Sequence, residues 1–340
     1  MDYHSGAVLA ENGADKRLEP ASLTKIMTAY VVFKELEEGN ITLQDRVRVS
    51  KKAWKTPGSR MFIEVGKEVS VEDLIRGMIV VSGNDACVAL AEHIAGSEAA
   101  FAALMNEHAL RLEMENTHFT NSTGLPDPDH YTTPADILKV TRALIAEFPQ
   151  YYPIYSEREF TYNGITQKNR NRLLWRDPSV DGVKTGHTQA AGYCLVASAR
   201  REGMRLLSVV MGTRSEEARA EESQKLLNYG FRFYQTHRLF DAGEQVKSVR
   251  VWKGEVERLG LGLEETLHVT IPRGRYPDLK LRARVHPQIT APVRKGQALG
   301  RLLVELDGEV LADVPLVALR DVAEGGLIHN LVDGVLQIFE

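Results

Sequence analysis

Apolar positions in the first third of the chain recur at helical spacing. Ile26, Met27, Tyr30, Val31, Phe33 and Leu36 form one such run behind Glu19-Pro20-Ala21-Ser22, where Pro20 and Ser22 supply start signals. Ser70-Val71-Glu72-Asp73 reads as a cap leading into Leu74, Met78 and Ile79, and a further run from Ala86 to Ile94 begins just past Ser82-Gly83-Asn84. The first ten residues read as strand, tight turn, strand. From Gly182 the pattern becomes strand-like, with Tyr193–Ser198 and Leu206–Met211 flanking a turn at Arg201-Glu202-Gly203. A helix follows from about Glu216 to Phe233. Residues 1–235 therefore predict an α/β domain whose sheet draws on both ends of the segment. Beyond Gln235, short β-type runs (Val246–Trp252, Leu267–Ile271, Leu279–Val285, Leu302–Leu306) alternate with Gly, Pro and Asp turns, predicting a small all-β domain over 236–322. In the last segment, 323–340, Leu327, Ile328, Leu331, Val332, Val335, Leu336, Ile338 and Phe339 make a wide stripe on an amphipathic helix.

Composition narrows the function. A chain of 340 residues suits two domains, and 43% hydrophobic with 26% charged residues excludes a largely disordered protein. No apolar run approaches the ~18 residues needed to span a bilayer. A net charge of −4, from 42 basic and 46 acidic residues, argues against a nucleic-acid surface. Two cysteines cannot build a disulfide framework. The ten histidines include no H-x-x-x-H pair and there is no C-x-x-C, so neither a metal nor another cofactor is expected.

Three short motifs can carry chemistry. Ser22-Leu23-Thr24-Lys25 is the one S-x-x-K in the chain, and its i, i+3 spacing puts the amine within reach of the hydroxyl on a helix. A serine needs a base to become a nucleophile, and a lysine whose pKa is lowered by burial and nearby cations can serve. Ser82-Gly83-Asn84 lies between two helical runs, and Lys184-Thr185-Gly186-His187 precedes a strand. Taken singly, these have ordinary explanations: a capping serine with a surface lysine, a helix cap with a turn glycine, an edge-strand lysine before a turn. Together and in this order they are the signature of active-site serine penicillin-recognising enzymes.

The chain resembles the low-molecular-weight D-alanyl-D-alanine carboxypeptidases of the penicillin-binding protein 5 type. Besides the motifs, the resemblance rests on Met1-Asp-Tyr-His-Ser-Gly, Ser59-Arg-Met-Phe, Asn121-Ser-Thr-Gly-Leu-Pro and Lys168-Asn-Arg-Asn-Arg-Leu-Leu. It implies a penicillin-recognising, β-lactamase-like α/β domain followed by a β-sandwich and a terminal amphipathic helix. It also implies roles. Ser22 would attack the carbonyl between the last two D-alanines of a peptidoglycan stem peptide, with Lys25 as base. Ser82 would relay a proton to the leaving D-alanine, Asn84 would hold the substrate amide, and Lys184 would supply positive charge. The backbone N–H groups of Ser22 and His187 would form the oxyanion hole. The strand bearing Thr185, Gly186 and His187 would pair with the substrate, and Arg219 would bind its terminal carboxylate. β-Lactams would acylate Ser22.

Other readings separate on particular residues. A class A β-lactamase needs an E-x-x-[LS]-N segment, and none lies between Asn84 and Lys184, so slow deacylation is expected. An endopeptidase is not excluded by the motifs, and a non-catalytic scaffold is disfavoured by intact Ser22, Lys25 and Lys184. Cys87, one turn beyond Asn84, and Cys194, in the strand after K-T-G, are expected as free, buried thiols. His118 and His130 flank a Gly/Pro/Asp loop and read as surface residues. The terminal helix carries no Lys or Arg after Ala323, so anchoring to a membrane surface, which the family architecture implies, must rest on the apolar stripe. Such an enzyme works in the periplasm, attached to the inner membrane, and a signal peptide is expected upstream of Met1.

Overall fold

The computed structural model describes residues 1–326. The chain divides into two units, one made of Met1 with Val8–Arg232 and the other of Asp2–Ala7 with the chain from Phe233 on. The helices of the first unit are α1 (Thr24–Glu37), α2 (Lys51–Lys55), α3 (Val71–Val80), α4 (Asn84–Ala95), α5 (Glu98–Arg111), α6 (Pro134–Glu147), α7 (Leu173–Arg176) and α8 (Glu216–Phe233). Its strands are β1 (Arg46–Arg48), β2 (Glu68–Ser70), β3 (Glu159–Tyr162), β4 (Ile165–Lys168), β5 (Val180–Thr188), β6 (Gly192–Arg201) and β7 (Met204–Thr213).

Helix α1 is apolar around most of its circumference and is the buried axis of this unit, packed by α3, α4, α5 and α6. Its start differs from the sequence expectation. Pro20 opens a 3-10 turn, Ala21–Leu23, so Ser22 sits inside that turn and its hydroxyl caps nothing. The α3 cap is as expected, with Ser70 Oγ accepting from Asp73 N at 3.1 Å. Helix α8 and the paired strands β6 and β7 fall where the pattern put them. The sheet β5-β6-β7 is antiparallel, and its register sets Lys184 opposite Val196 and Gly186 opposite Cys194.

The amino-terminal segment corrects the expectation of two strands. Met1 meets the sheet, exchanging backbone hydrogen bonds with Leu207. Residues 2–7 form a turn because the buried Asp2 carboxylate accepts from Ser5 N at 2.8 Å and Ser5 Oγ at 2.9 Å. That turn belongs to the second unit, where Thr236 Oγ1 also donates to Asp2 at 2.8 Å.

The second unit is all-β, as expected. Strands β8 (Tyr234–Phe240) and β11 (Leu267–Pro272) pair together. A second sheet runs β12 (Lys280–Val285), β13 (Ala298–Leu306), β14 (Glu309–Ala318), β10 (Arg258–Gly262), β9 (Gln245–Arg250). Leu259, Leu261, Val269, Leu302, Val304 and Leu316 fill the space between the inner faces. Strands β10 and β14 escaped the sequence reading because two glycines in one and Pro315 in the other lower β propensity. The expected amphipathic helix falls mostly on residues 327–340, outside the described residues.

Candidate active site

The three motifs converge. Ser82 lies between α3 and α4 with a φ of 64°, a left-handed conformation that costs a non-glycine residue about 1–3 kcal/mol. Asn84 opens α4, with its backbone N–H donating to Ser59 O at 2.7 Å. Lys25 is in the first turn of α1 and is 1% exposed. Its Nζ is 2.9 Å from Ser22 Oγ, 2.7 Å from Asn84 Oδ1 and 2.7 Å from the Thr123 carbonyl. The Asn84 amide is oriented by chemistry: its oxygen faces a donor, and its Nδ2 donates to the Pro57 carbonyl at 2.7 Å. Lys184 on β5 donates to Ser82 Oγ at 2.9 Å and to the Thr185 carbonyl at 3.3 Å.

Burial lowers the pKa of Lys25, and Arg170 adds to the effect. Burial, together with Arg170, Arg219 and Lys25 whenever it is protonated, holds Lys184 well below an ordinary lysine. A neutral amine has two N–H bonds and one lone pair. Asn84 Oδ1 and Thr123 O can only accept, so they take the two N–H groups and the lone pair is left for the Ser22 hydroxyl.

Gly186 explains why β5 can lie against the 3-10 turn that carries Ser22. A Cβ there would come within 3.1 Å of Pro20 O and 3.3 Å of Ser22 N. The absence of a side chain brings the strand's backbone beside the Ser22 amide. Thr185 is buried in the same strand, while His187 is exposed and its ring lies 3.9 Å from that of Tyr193. Arg219, in the first turns of α8, is 4% exposed and donates to Gly186 O at 3.1 Å and Cys194 O at 3.5 Å. All nine residues singled out in the sequence therefore gather around β5, the 3-10 turn and the start of α4.

Comparison with known proteins gives the family. Residues 1–215 match the D-alanyl-D-alanine carboxypeptidase family and residues 234–324 match the penicillin-binding protein 5 C-terminal domain. The chain belongs to the D-alanyl-D-alanine carboxypeptidase family. It is 46% identical to D-alanyl-D-alanine carboxypeptidase DacC of Escherichia coli (strain K12), over 100% of this chain and 87% of the relative. It is 44% identical to DacA of the same organism, over 100% of this chain and 86% of the relative. Penicillin-binding protein 5 from Haemophilus influenzae superposes with a TM-score of 0.92 at 44% identity, covering 95% of this chain and 96% of that one.

In this member of the family, three groups at the site escaped the sequence reading. The Thr123 carbonyl was invisible because any residue carries one. Arg170 is exposed, and its charge lowers the pKa of both lysines. It is displayed by the buried asparagines on either side: Asn169 Nδ2 donates to Glu157 O at 3.0 Å and Asn171 Nδ2 to Gly182 O at 2.9 Å. The third is His130, which is buried rather than on the surface. Both cysteines are free and buried, and burial pushes the Cys87 thiol up to about 11, so it is neutral at pH 7.

Proposed function

We propose that the chain removes the terminal D-alanine from peptidoglycan stem peptides through an acyl-enzyme on Ser22, and that β-lactams acylate the same oxygen. Family membership carries the reaction class, a serine hydrolase with D-alanyl-D-alanine carboxypeptidase activity. The residue roles rest on one observation: a buried Lys25 Nζ 2.9 Å from Ser22 Oγ whose other two partners can only accept, so that the amine, once neutral, turns its lone pair to Ser22.

Lys25 Nζ takes the Ser22 proton as Oγ attacks the carbonyl between the last two D-alanines. The oxyanion is held by the backbone N–H groups of Ser22 and His187. Ser82, bonded to Lys184, gives its hydroxyl proton to the departing amine and regains one from the Lys25 ammonium. A water that loses a proton to Lys25 then attacks the acyl carbon, and that proton returns to Ser22 Oγ as the shortened stem leaves. Asn84 holds the substrate amide, while Thr185 and Gly186 present β5 as a pairing edge. Arg219 supplies positive potential for the terminal carboxylate from behind the strand, through Gly186 and the Tyr193 ring, which its guanidinium approaches to 5.6 Å.

The experiment is release of D-alanine from a pentapeptide ending in D-Ala-D-Ala, set beside the rate of penicillin G acylation. Arg219→Ala is expected to slow the peptide reaction about tenfold more than the penicillin reaction. Equal losses would remove its assignment to the carboxylate.

We further propose that the enzyme works in the periplasm, held at the inner membrane by the apolar stripe of its last residues. Deleting residues 325–340 should release the protein from lipid vesicles while D-alanine release in solution stays unchanged. Unaltered vesicle binding would refute the anchor.

A further inference from the structure

Lys25 takes one of its three partners from a loop, and a histidine outside every motif ties that loop to α1. His130 is 2% exposed. Its Nδ1 lies 3.1 Å from Thr120 N and 3.1 Å from Thr120 Oγ1, and its Nε2 lies 2.8 Å from Thr24 Oγ1. A backbone N–H can only donate, so Nδ1 carries no proton. The ring proton is therefore on Nε2 and donates to Thr24 Oγ1. A second proton, on Nδ1, would face the Thr120 N–H. Asp127 and His118 are the titratable groups facing the ring, and burial lowers its pKa to about 4, which keeps the imidazole neutral.

Both partners of the ring are one step from the base. Thr24 precedes Lys25 in the chain and Thr120 lies three residues before Thr123. Between Thr120 and Thr123 the segment is held rigidly. Asn121 Oδ1 accepts from Thr123 N at 3.1 Å and Gly124 N at 2.8 Å, and Thr28 Oγ1 donates to Ser122 O at 2.7 Å. Gly124, at φ 82°, packs so tightly on the nucleophile's turn that a Cβ would lie 1.7 Å from Ala21 O.

We propose that His130 is a positioning residue for the base: by bonding Thr24 and Thr120 at once, it keeps the Thr123 carbonyl on Lys25 Nζ and so keeps the amine's lone pair directed at Ser22. This rests on the assignment of Ser22 and Lys25 made above. A small displacement of the carbonyl would free one N–H and let the amine rotate, which lowers the rate of proton removal without touching the surface that binds ligand.

The test separates binding from acylation with penicillin G, using the full chain. His130→Phe keeps a ring of similar size and drops both hydrogen bonds. It is expected to lower the acylation rate constant about 10- to 100-fold while the dissociation constant of the initial complex moves less than about twofold. His130→Gln restores a donor toward Thr24 and should recover most of the rate. Thr24→Val removes the acceptor alone, should show the same split, and should add nothing in the His130→Phe background. If His130→Phe does not fold, Thr24→Val carries the test. Wild-type acylation in the foldable variants, equal losses in binding and acylation, or a glutamine variant as slow as phenylalanine would overturn the proposal. A Ser22→Ala control that still forms the adduct would instead overturn the underlying assignment, and the role of His130 with it.

Discussion

Ser22→Ala is expected to abolish the penicillin adduct and D-alanine release together, a loss on the order of 10⁴- to 10⁶-fold for removal of a serine nucleophile. Intact-protein mass spectrometry after incubation with penicillin G reads it directly. The wild type should gain one stable adduct and the variant none. The adduct should persist, because no glutamate in an E-x-x-[LS]-N segment lies between Asn84 and Lys184 to activate deacylating water. The substitution removes one half-buried oxygen and leaves the 3-10 turn intact, so a folding defect is not expected. An adduct on the variant would place the nucleophile elsewhere. Hydrolysed penicillin without an adduct would point to a β-lactamase.

Lys25→Met should cost about 10²- to 10⁴-fold in acylation at pH 7, the usual worth of a positioned general base. The pH profile gives the sharper reading. Burial and the nearby Arg170 favour the uncharged amine, while Asp85 opposes them and the neutral Cys87 thiol adds no charge at pH 7. Folded Lys25 therefore releases its proton below the ordinary lysine value of 10.5. Wild-type acylation should rise with pH through that lowered pKa and fall away on the acid side, where the ammonium has no lone pair to offer. Methionine is uncharged at every pH, so the acid limb should vanish. Persistence of the same limb in the variant would assign it to another group.

Much of this was legible in the sequence, for identifiable reasons. The S-x-x-K spacing is local, so one helical turn fixes the distance from Lys25 to Ser22. The division into an α/β and an all-β part followed from the change of period near residue 235. Long-range polar contacts left less trace. His130 looked like a surface residue because its neighbours are Asp127, Pro128 and Asp129, and only the fold reveals that Thr24 and Thr120 close over it. Asp2 looked like part of a strand because it holds Ser5 and Thr236 through its own side-chain carboxylate, which no alternation of apolar residues reports. Asn163-Gly164, a strong hairpin signal that the reading passed over, does form the turn between β3 and β4, with both residues at positive φ.

The partners of Lys25 stand 3, 59 and 98 positions away along the chain. The base proposed for the reaction therefore exists only once those distant stretches have been brought together. A nascent or partly unfolded chain holds an ordinary, protonated lysine beside an inert serine. Covalent labelling by a β-lactam then counts native molecules and ignores the rest, so the antibiotic doubles as a conformational probe. Loss of labelling on heating or in denaturant should coincide with melting of the helical core around α1.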